Sequence, residues 1–394
     1  MYTPEMVKKQ SEMTINAFVQ RIRKASGISF VTLRYGEYLF QGVYIPELCK
    51  TPISQMCEGA YVQADVSVKP EKRSQYGFEL TIKDFTVLAK PQEELPFSIS
   101  QPTLSTTLEE TVSYPELAIR HPQKREVMAL RSKLSHRYSE YMYNNGFIAV
   151  NTPKITSQQA DRDYINVRYF DHNASLTHSP TLYHIMAVGG LDKVYEIGNG
   201  YSSKNGNSIR HLNEFTRMDF ELTYTDSRSL RKLIGEILCY ITDAKLPAIP
   251  EISHSDAMNF LGKPQTQPDL DPTDEKKLCE WAKSEYDSEY VFVTELPTGK
   301  RPFYEQNPFV LLSKGLEIAS GSEHTGDYGM ISERLTDYDA QISKYSPYIA
   351  SYKYGMPMSG GVAIGLERLV MSLMDLSNIR EATFITRDLK HLVP

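Results

Sequence analysis

The sequence predicts an α+β protein: a small β-barrel at the N-terminus, then a larger domain built on an antiparallel sheet flanked by helices. Three observations point there. Residues 15–90 break into β-rich runs of strand length, separated by Gly, Pro or charge clusters. The stretch KPQEELPFSISQPTLS that follows is proline-rich and has little periodicity. From about residue 120, strands and helices succeed one another without regular βαβ alternation. The expected organisation is a barrel over 1–90, a linker over 91–119 and a second domain over 120–394. A length of 394 residues allows two or three domains.

The barrel strands are expected at ISFVTLRYG, EYLFQGVYI, AYVQADVSV and FELTIKDFTVLA. Four or five strands in about 80 residues make an OB-fold one candidate. In the second domain, Val127, Leu130, Leu134, Tyr138 and Tyr141 recur at helical spacing, and Asn145-Gly146 is placed to end that helix. A strand at FIAVNTP should follow, with later strands at KVYEIGN, EFTRMDFELTYT and LLSKGLEIASG. Helices are expected at 226–243, 274–285, 329–344 and 365–376.

Composition excludes several classes. At 41% hydrophobic and 23% charged residues, the chain is an ordinary globular one rather than disordered or collagen-like. No apolar run reaches membrane-spanning length, and the first residues lack the apolar stretch of a signal peptide. Cys49, Cys57, Cys239 and Cys279 are scattered without a CxxC pair, which favours a reducing, cytoplasmic setting over a disulfide framework or zinc site. The net charge of −6 divides into +1 for residues 1–100 and −7 for the rest, so no basic domain announces a nucleic-acid partner.

Three separated segments carry a family resemblance. The first is the helix ending at Asn145-Gly146-Phe147 with Thr152-Pro153 beyond it. The second runs from Val194-Tyr-Glu-Ile-Gly198 to Arg210-His-Leu-Asn-Glu-Phe215 and Met218-Asp-Phe-Glu221. The third is Gly360-Gly-Val-Ala-Ile-Gly365-Leu-Glu-Arg368, followed by Asn378-Ile-Arg-Glu381 and Arg387-Asp388. In this order they resemble motifs 1, 2 and 3 of class II aminoacyl-tRNA synthetases, in the aspartyl/asparaginyl (class IIb) form. Ser179-Pro-Thr-Leu-Tyr183, Arg301-Pro-Phe-Tyr304, Glu317-Ile-Ala-Ser-Gly321 and Tyr354-Gly-Met-Pro357 add matches between the motifs.

The resemblance implies an anticodon-reading OB barrel, a class II catalytic domain, and a homodimer with Pro153 at its interface. It implies ATP and Mg2+. Phe215 matches the residue that stacks adenine, Arg368 the arginine that grips the triphosphate, and Gly365 the glycine ahead of it. Arg210 and His211 are further phosphate-side candidates. Glu317 and Ser320 match a magnesium carboxylate and its hydroxyl neighbour, and oxygen ligands suit that hard cation. Asp219 matches an acid that supports the substrate α-amino group, and Ser179 keeps its place in the pocket. In the barrel, Phe30 and Gln41 match a base-stacking aromatic and a base-reading amide. Glu79 and Arg34 are further RNA candidates.

The departures from the pattern are as informative. Motif 2 of the family carries Phe-Arg-x-Glu, where this chain has Tyr201-Ser202-Ser203-Lys204. The arginine that bridges carboxylate and α-phosphate is therefore Ser202, and Lys204 reverses the sign of an acid. The position of a second metal carboxylate is Val310. In the amino-acid pocket, Gln159-Ala160-Asp161 replaces Glu-Gly-Gly, Thr181 replaces a glutamine, and one motif 3 glycine is Ala363. A lysine and an arginine that face the substrate's side-chain carboxylate are His184 and His324. Histidine is near neutral at pH 7 unless its surroundings shift it, so free aspartate is expected to bind poorly.

The resulting expectation is an ATP-dependent, adenylate-forming ligase that acts on a carboxylate other than free aspartate, with amide formation in a biosynthetic pathway as one continuation. A peptide or an amidated amino acid would suit such a pocket. The alternative is a non-catalytic pseudo-synthetase that binds tRNA, nucleotide or a protein partner, and a lesser alternative is a true aspartate/asparagine–tRNA ligase.

Overall fold

The computed structural model describes residues 3–157, 164–204, 208–299, 301–337 and 345–392. The chain divides into two compact units, Met1–Arg125 and Glu126–Pro394.

The first unit holds a closed five-stranded barrel of β1 (Glu12–Ala25), β2 (Ile28–Tyr35), β3 (Tyr38–Tyr44), β4 (Tyr61–Pro70) and β5 (Phe78–Ala89), in the order β1-β2-β3-β5-β4. All pairs are antiparallel except β3–β5. This is the OB architecture. The four strands expected from sequence are present, and the unassigned first strand is the longest. Strict alternation in β2 buries Ser29, Val31 and Leu33 and turns Phe30, Thr32 and Arg34 outward. The segment 91–119 is more structured than a linker. Phe97, Ile99, Leu117 and Ala118 form a small core of their own, the Gln20 side-chain amide donates to the Ile99 carbonyl, and a capping box at Thr107 and Glu110 opens a helix, Leu108–Ser113.

The second unit is built on an eight-stranded sheet. In chain order its strands are β6 (Ile148–Ala149), then β10 (Lys193–Tyr201), β11 (Glu214–Thr223), β12 (Glu251–Ser253), β13 (Tyr290–Thr294), β14 (Glu305–Ser313), β15 (Leu316–His324) and β16 (Ser359–Gly365). Between β6 and β10 lie β7 (Ile155–Thr156), β8 (Ile165–Tyr169) and β9 (His172–Leu176), which form a separate three-stranded sheet. The large sheet runs β12-β13-β14-β15-β16-β11-β10-β6. Its six central strands are antiparallel, while the short edge strands β12 and β6 pair parallel with their neighbours. The sheet is thus mixed rather than purely antiparallel.

The helix expected after residue 120 spans Pro122–Asn144 and buries Val127, Leu134, Tyr138 and Met142. Asn145-Gly146 closes it in a Schellman pattern: the Gly146 amide donates to the Tyr143 carbonyl and the Phe147 amide to that of Met142. The helices Ser227–Thr242, Pro272–Tyr286 and Leu366–Leu373 stand where periodicity placed them. Three expectations need correction. FIAVNTP gives a strand of only two residues, Ile148–Ala149, beyond which the Thr152 amide donates to the Glu196 side chain rather than to a ladder. LLSKGLEIASG is two strands, since Lys314 and Gly315 both take positive φ and make the tight turn of the β14–β15 hairpin. The helix expected over 329–344 is Tyr328–Asp337, and residues 338–344 lie outside the described residues. A core of Met218, Phe220, Leu230, Ile234, Phe309 and Ile364 binds the sheet to its helices. Phe303, Tyr304, Tyr345, Tyr348 and Tyr352 form a second, tyrosine-rich cluster.

Candidate active site

β11 organises the site because its residues alternate between two faces. Met218 and Phe220 enter the core. Phe215, Arg217, Asp219 and Glu221 line two adjoining cavities. Sheet register sets what lies beside each. Phe215 is opposite Gly200. Arg217 lies between Gly198 and Gly365, Asp219 between Glu196 and Ala363, and Glu221 between Val194 and Gly361. One strand further, Ser320 neighbours Ala363 and Ser322 neighbours Gly361.

The larger cavity, about 420 Å³, is lined by Ser202, Lys204, Arg210, His211, Phe215, Glu317, Ser320, Gly365 and Arg368 among others. It brings together every residue that the resemblance assigns to ATP. The Phe215 ring lies close over Gly200, where any Cβ would meet ring carbons at 2.8 Å, and the His178 ring stands edge-on to it at 5.4 Å. Arg368 donates to the carbonyls of Glu317 (2.8 Å) and Arg210 (3.3 Å), which fixes its guanidinium at the cavity wall. Ser202 is buried, and the Asn213 amide donates to its carbonyl at 2.7 Å, so the start of the motif 2 loop is pinned. Lys204 is exposed at the rim.

Arg210 differs from its expected phosphate-side role. It is buried, and its guanidinium is engaged by the Glu275 carboxylate and the Gly315 carbonyl. Burial pushes the Glu275 carboxyl up, with Arg210 pulling the other way. The His211 imidazole shares a hydrogen bond with the Ser208 hydroxyl at 3.0 Å.

The smaller cavity, about 160 Å³, is lined by Ser179, Thr181, His184, Arg217, Asp219, Glu221, Ser320, His324 and Ala363 among others. The substrate-pocket residues converge here, except Gln159, which lies outside the described residues. Both replacement histidines are buried against carboxylates. His324 Nδ1 is 2.7 Å from Glu221 Oε1, and its Nε2 is 3.1 Å from Ser322 Oγ. His184 Nε2 is 3.1 Å from Glu196 Oε2. Glu196 also accepts from Lys154 (2.7 Å) and the Thr152 hydroxyl (2.7 Å). Burial works against its charge, but these donors more than offset it and hold the carboxyl at about 2. Ser179 and Thr181 share a hydrogen bond at 2.7 Å.

Sequence reasoning missed Glu196, Glu221, Glu275 and Arg217. Residues 215, 217, 219 and 221 share one parity on one strand, and that parity was the available signal for Arg217 and Glu221.

For magnesium, Glu317 and Ser320 share the larger cavity, and a carboxylate and a hydroxyl completed by phosphate oxygens is a set that Mg2+ accepts. Val310 contributes no donor, being packed with Leu278, Val291 and Val293. Among the described residues, no cluster of three or more His, Cys, Asp and Glu side chains could hold a metal by itself.

In the barrel, Gln41 is exposed and pairs in register with Thr32. Its amide donates to Glu79 at 3.4 Å, and Phe30 lies on the same outer face. The Arg23 guanidinium stacks on the Phe30 ring at 4.8 Å. Arg34 is partly buried instead, lying over Phe18 at 4.5 Å. Burial lowers its pKa, with Arg125 and Arg120 adding to the effect.

Residues 107–388 match the family model of tRNA synthetases class II (D, K and N), which covers well over half of the chain. The chain belongs to this family. An aspartate–tRNA(Asp/Asn) ligase of Deinococcus radiodurans is 29% identical over 96% of the chain and 95% of its own length. An aspartate–tRNA(Asp) ligase of Pyrococcus abyssi is 26% identical over 100% and 99%. The asparaginyl-tRNA synthetase from Pyrococcus horikoshii complexed with asparaginyl-adenylate superposes with a TM-score of 0.89 at 22% identity, covering 97% of this chain and 96% of that one. That likeness speaks for the fold. This class II synthetase-like chain has no helix, among the described residues, that is long and apolar enough to cross a membrane.

Proposed function

We propose that the chain is an ATP-dependent ligase that joins the α-carboxylate of an amino acid to AMP and passes the acyl group to tRNA, in the manner of an aspartate/asparagine–tRNA ligase. One observation carries this reading: Phe215, Arg368 and Asp219, to which the resemblance gives the adenine, triphosphate and α-amino roles, line two cavities that share four residues. The aspartate–tRNA ligases of similar sequence, which align over nearly the whole chain, support it. ATP would stack on Phe215 with its phosphates toward Arg368, His211 and Lys204. Glu317 and Ser320 would hold Mg2+, which supplies charge neutralisation to the phosphates. Asp219 would take the α-ammonium group. The barrel face around Phe30, Gln41 and Glu79 would meet tRNA, and two copies would pair through the helix Pro122–Asn144 and Pro153.

The smaller cavity favours a narrower version on a specific observation. Its lining presents Glu221, already partnered by His324, and Glu305. A side-chain carboxylate there would face two acids. A neutral amide could exchange hydrogen bonds with them instead. This supports a carboxylate other than free aspartate as substrate, an amidated amino acid such as asparagine or a peptide amide.

The test is ATP–pyrophosphate exchange with aspartate, asparagine and the other amino acids, followed by tRNA charging. Exchange strongest with asparagine or an amide-bearing substrate is expected. Brisk exchange with aspartate alone would overturn the narrower version and keep the ligase. No exchange with any substrate, together with tight tRNA or nucleotide binding, would replace the ligase with a non-catalytic binding protein.

A further inference from the structure

Adenylate formation has one demanding place, the point where an α-carboxylate oxygen attacks the α-phosphorus. A new P–O bond forms there while the bond to pyrophosphate breaks. Pyrophosphate leaves with the electron pair, and no proton moves. Two anionic groups must be brought together, so a fixed cation is needed at the junction. Position 202 offers a buried serine.

Four residues line both cavities: His178, Arg217, Ser320 and Ala363. Among them only Arg217 carries a permanent charge. It is also the sole lysine or arginine among the described residues lining the smaller cavity. A carboxylate seated in the smaller cavity has this guanidinium as the one lysine or arginine group in the lining, among the described residues. Its place along β11 is fitting. It stands two residues beyond the adenine platform Phe215 and two before Asp219, with Gly198 and Gly365 on either side. Access for a ligand comes from the cavities themselves, since Arg217 lines both.

The group is held in place. Arg217 Nε donates to both Asp219 oxygens (3.1 and 3.0 Å), and one terminal nitrogen donates to Asp219 Oδ1 (2.9 Å) and Ser179 Oγ (3.2 Å). The other terminal nitrogen lies 3.4 Å from the His178 carbonyl, a weak contact for a charged donor.

We infer that Arg217 is a catalytic residue that bridges the substrate carboxylate and the α-phosphate, replacing from β11 the guanidinium absent at position 202. The inference rests on the ligase reading above. Asp219 then has two tasks, to orient Arg217 and to receive the α-ammonium group, so the loaded junction carries paired rather than surplus charge.

The experiment compares wild type, Arg217→Gln and Arg217→Lys in two assays. The first is ATP–pyrophosphate exchange with the best amino acid. The second is calorimetric binding of ATP and of aspartyl- and asparaginyl-sulfamoyl-adenosine, non-hydrolysable mimics of the adenylate. Thermal melts of all three proteins check folding, and Arg217→Lys keeps the charge should Arg217→Gln fail to fold. The expected result is a fall in exchange rate of about 10²–10³-fold for Arg217→Gln. Arg217→Lys should recover only part, since an ammonium cannot bridge two groups as a planar fork does. Both variants should lose affinity for an acyl-sulfamoyl-adenosine much more than for ATP. Unchanged exchange, or equal losses for ATP and mimics, would overturn the role. If wild type shows no exchange while Arg217→Gln still loses mimic binding selectively, the bridging position stands and the ligase reading falls. Partial rescue of Arg217→Gln by Ser202→Arg would further support the replacement, because it would return a guanidinium to the same junction.

Discussion

The two ends of the cleft along β11 treat charge in opposite ways. The nucleotide end gathers Lys204, Arg210, Arg217 and Arg368 against Glu275, Glu317 and Glu367. The amino-acid end gathers Asp219, Glu221 and Glu305 around a single guanidinium, that of Arg217. The first suits a polyanion. The second suits a ligand with a cationic or neutral end, and its acids are settled before any ligand arrives, Glu221 by His324 and Asp219 by Arg217. The difference teaches that the two histidines, which stand where the family resemblance would put a lysine and an arginine, are tied to acids of the fold. Each belongs to a buried hydrogen-bonded pair, His324 with Glu221 and His184 with Glu196.

The largest effect should come from opening one of those pairs. Glu196→Gln leaves Lys154 and His184 without their anion in a buried site, and removing one partner of a buried pair costs about 3–5 kcal/mol. Urea unfolding would measure it, with Lys204→Ala, on the exposed rim, as a comparison expected within about 0.5 kcal/mol of wild type. Equal effects would erase the contrast between a pre-paired end and an open one.

Acid should act through the same network. The folded carboxyl of Glu196 lies at about 2, below its ordinary value. A depressed carboxylate stabilises above its unfolded pKa, and that contribution is lost as pH falls from about 4.5 toward 2. Melting temperatures of wild type should drop across this window more steeply than those of Glu196→Gln. Parallel curves would remove Glu196 as the cause.

Phe215→Ala should weaken ATP by about 1–3 kcal/mol in calorimetry, as loss of a base-stacking platform does, while the protein still folds. If Arg368→Ala and Phe215→Ala both leave ATP binding unchanged, the nucleotide lies elsewhere. The smallest effect is expected in the barrel. Phe30→Ala should cost about 1 kcal/mol in binding of single-stranded RNA, at the low end for stacking because Arg23 already covers one ring face. Pyrophosphate exchange should not change, and a loss of exchange would mean that Phe30 serves folding rather than RNA.

Much was legible in the sequence. The β2 alternation of Ser29, Val31 and Leu33 with Phe30 and Thr32 decides which face is wet, because one residue of parity exchanges the two sides of a strand. The 3.6-residue spacing of Val127, Leu134 and Tyr138 likewise decides the helix and the side it buries. The resemblance to the family's motifs picked out Phe215, Glu317, Ser320 and Arg368, which share one cavity. Other features depended on distance through space. The hairpin at Lys314-Gly315 reads in sequence as one strand, although Ser313-Lys314-Gly315 interrupts the apolar run there. Glu221 and His324, 103 residues apart, became one hydrogen-bonded pair only when β11 and β15 were set either side of β16. Arg217 reads in sequence as an ordinary polar position on a strand. Its meaning comes from cross-strand register, which places it between two glycines where two cavities meet. Side-chain period is a local property of the chain and can be read from it. Which residues become neighbours across a sheet depends on how distant strands pair, and that is decided only when the whole core packs.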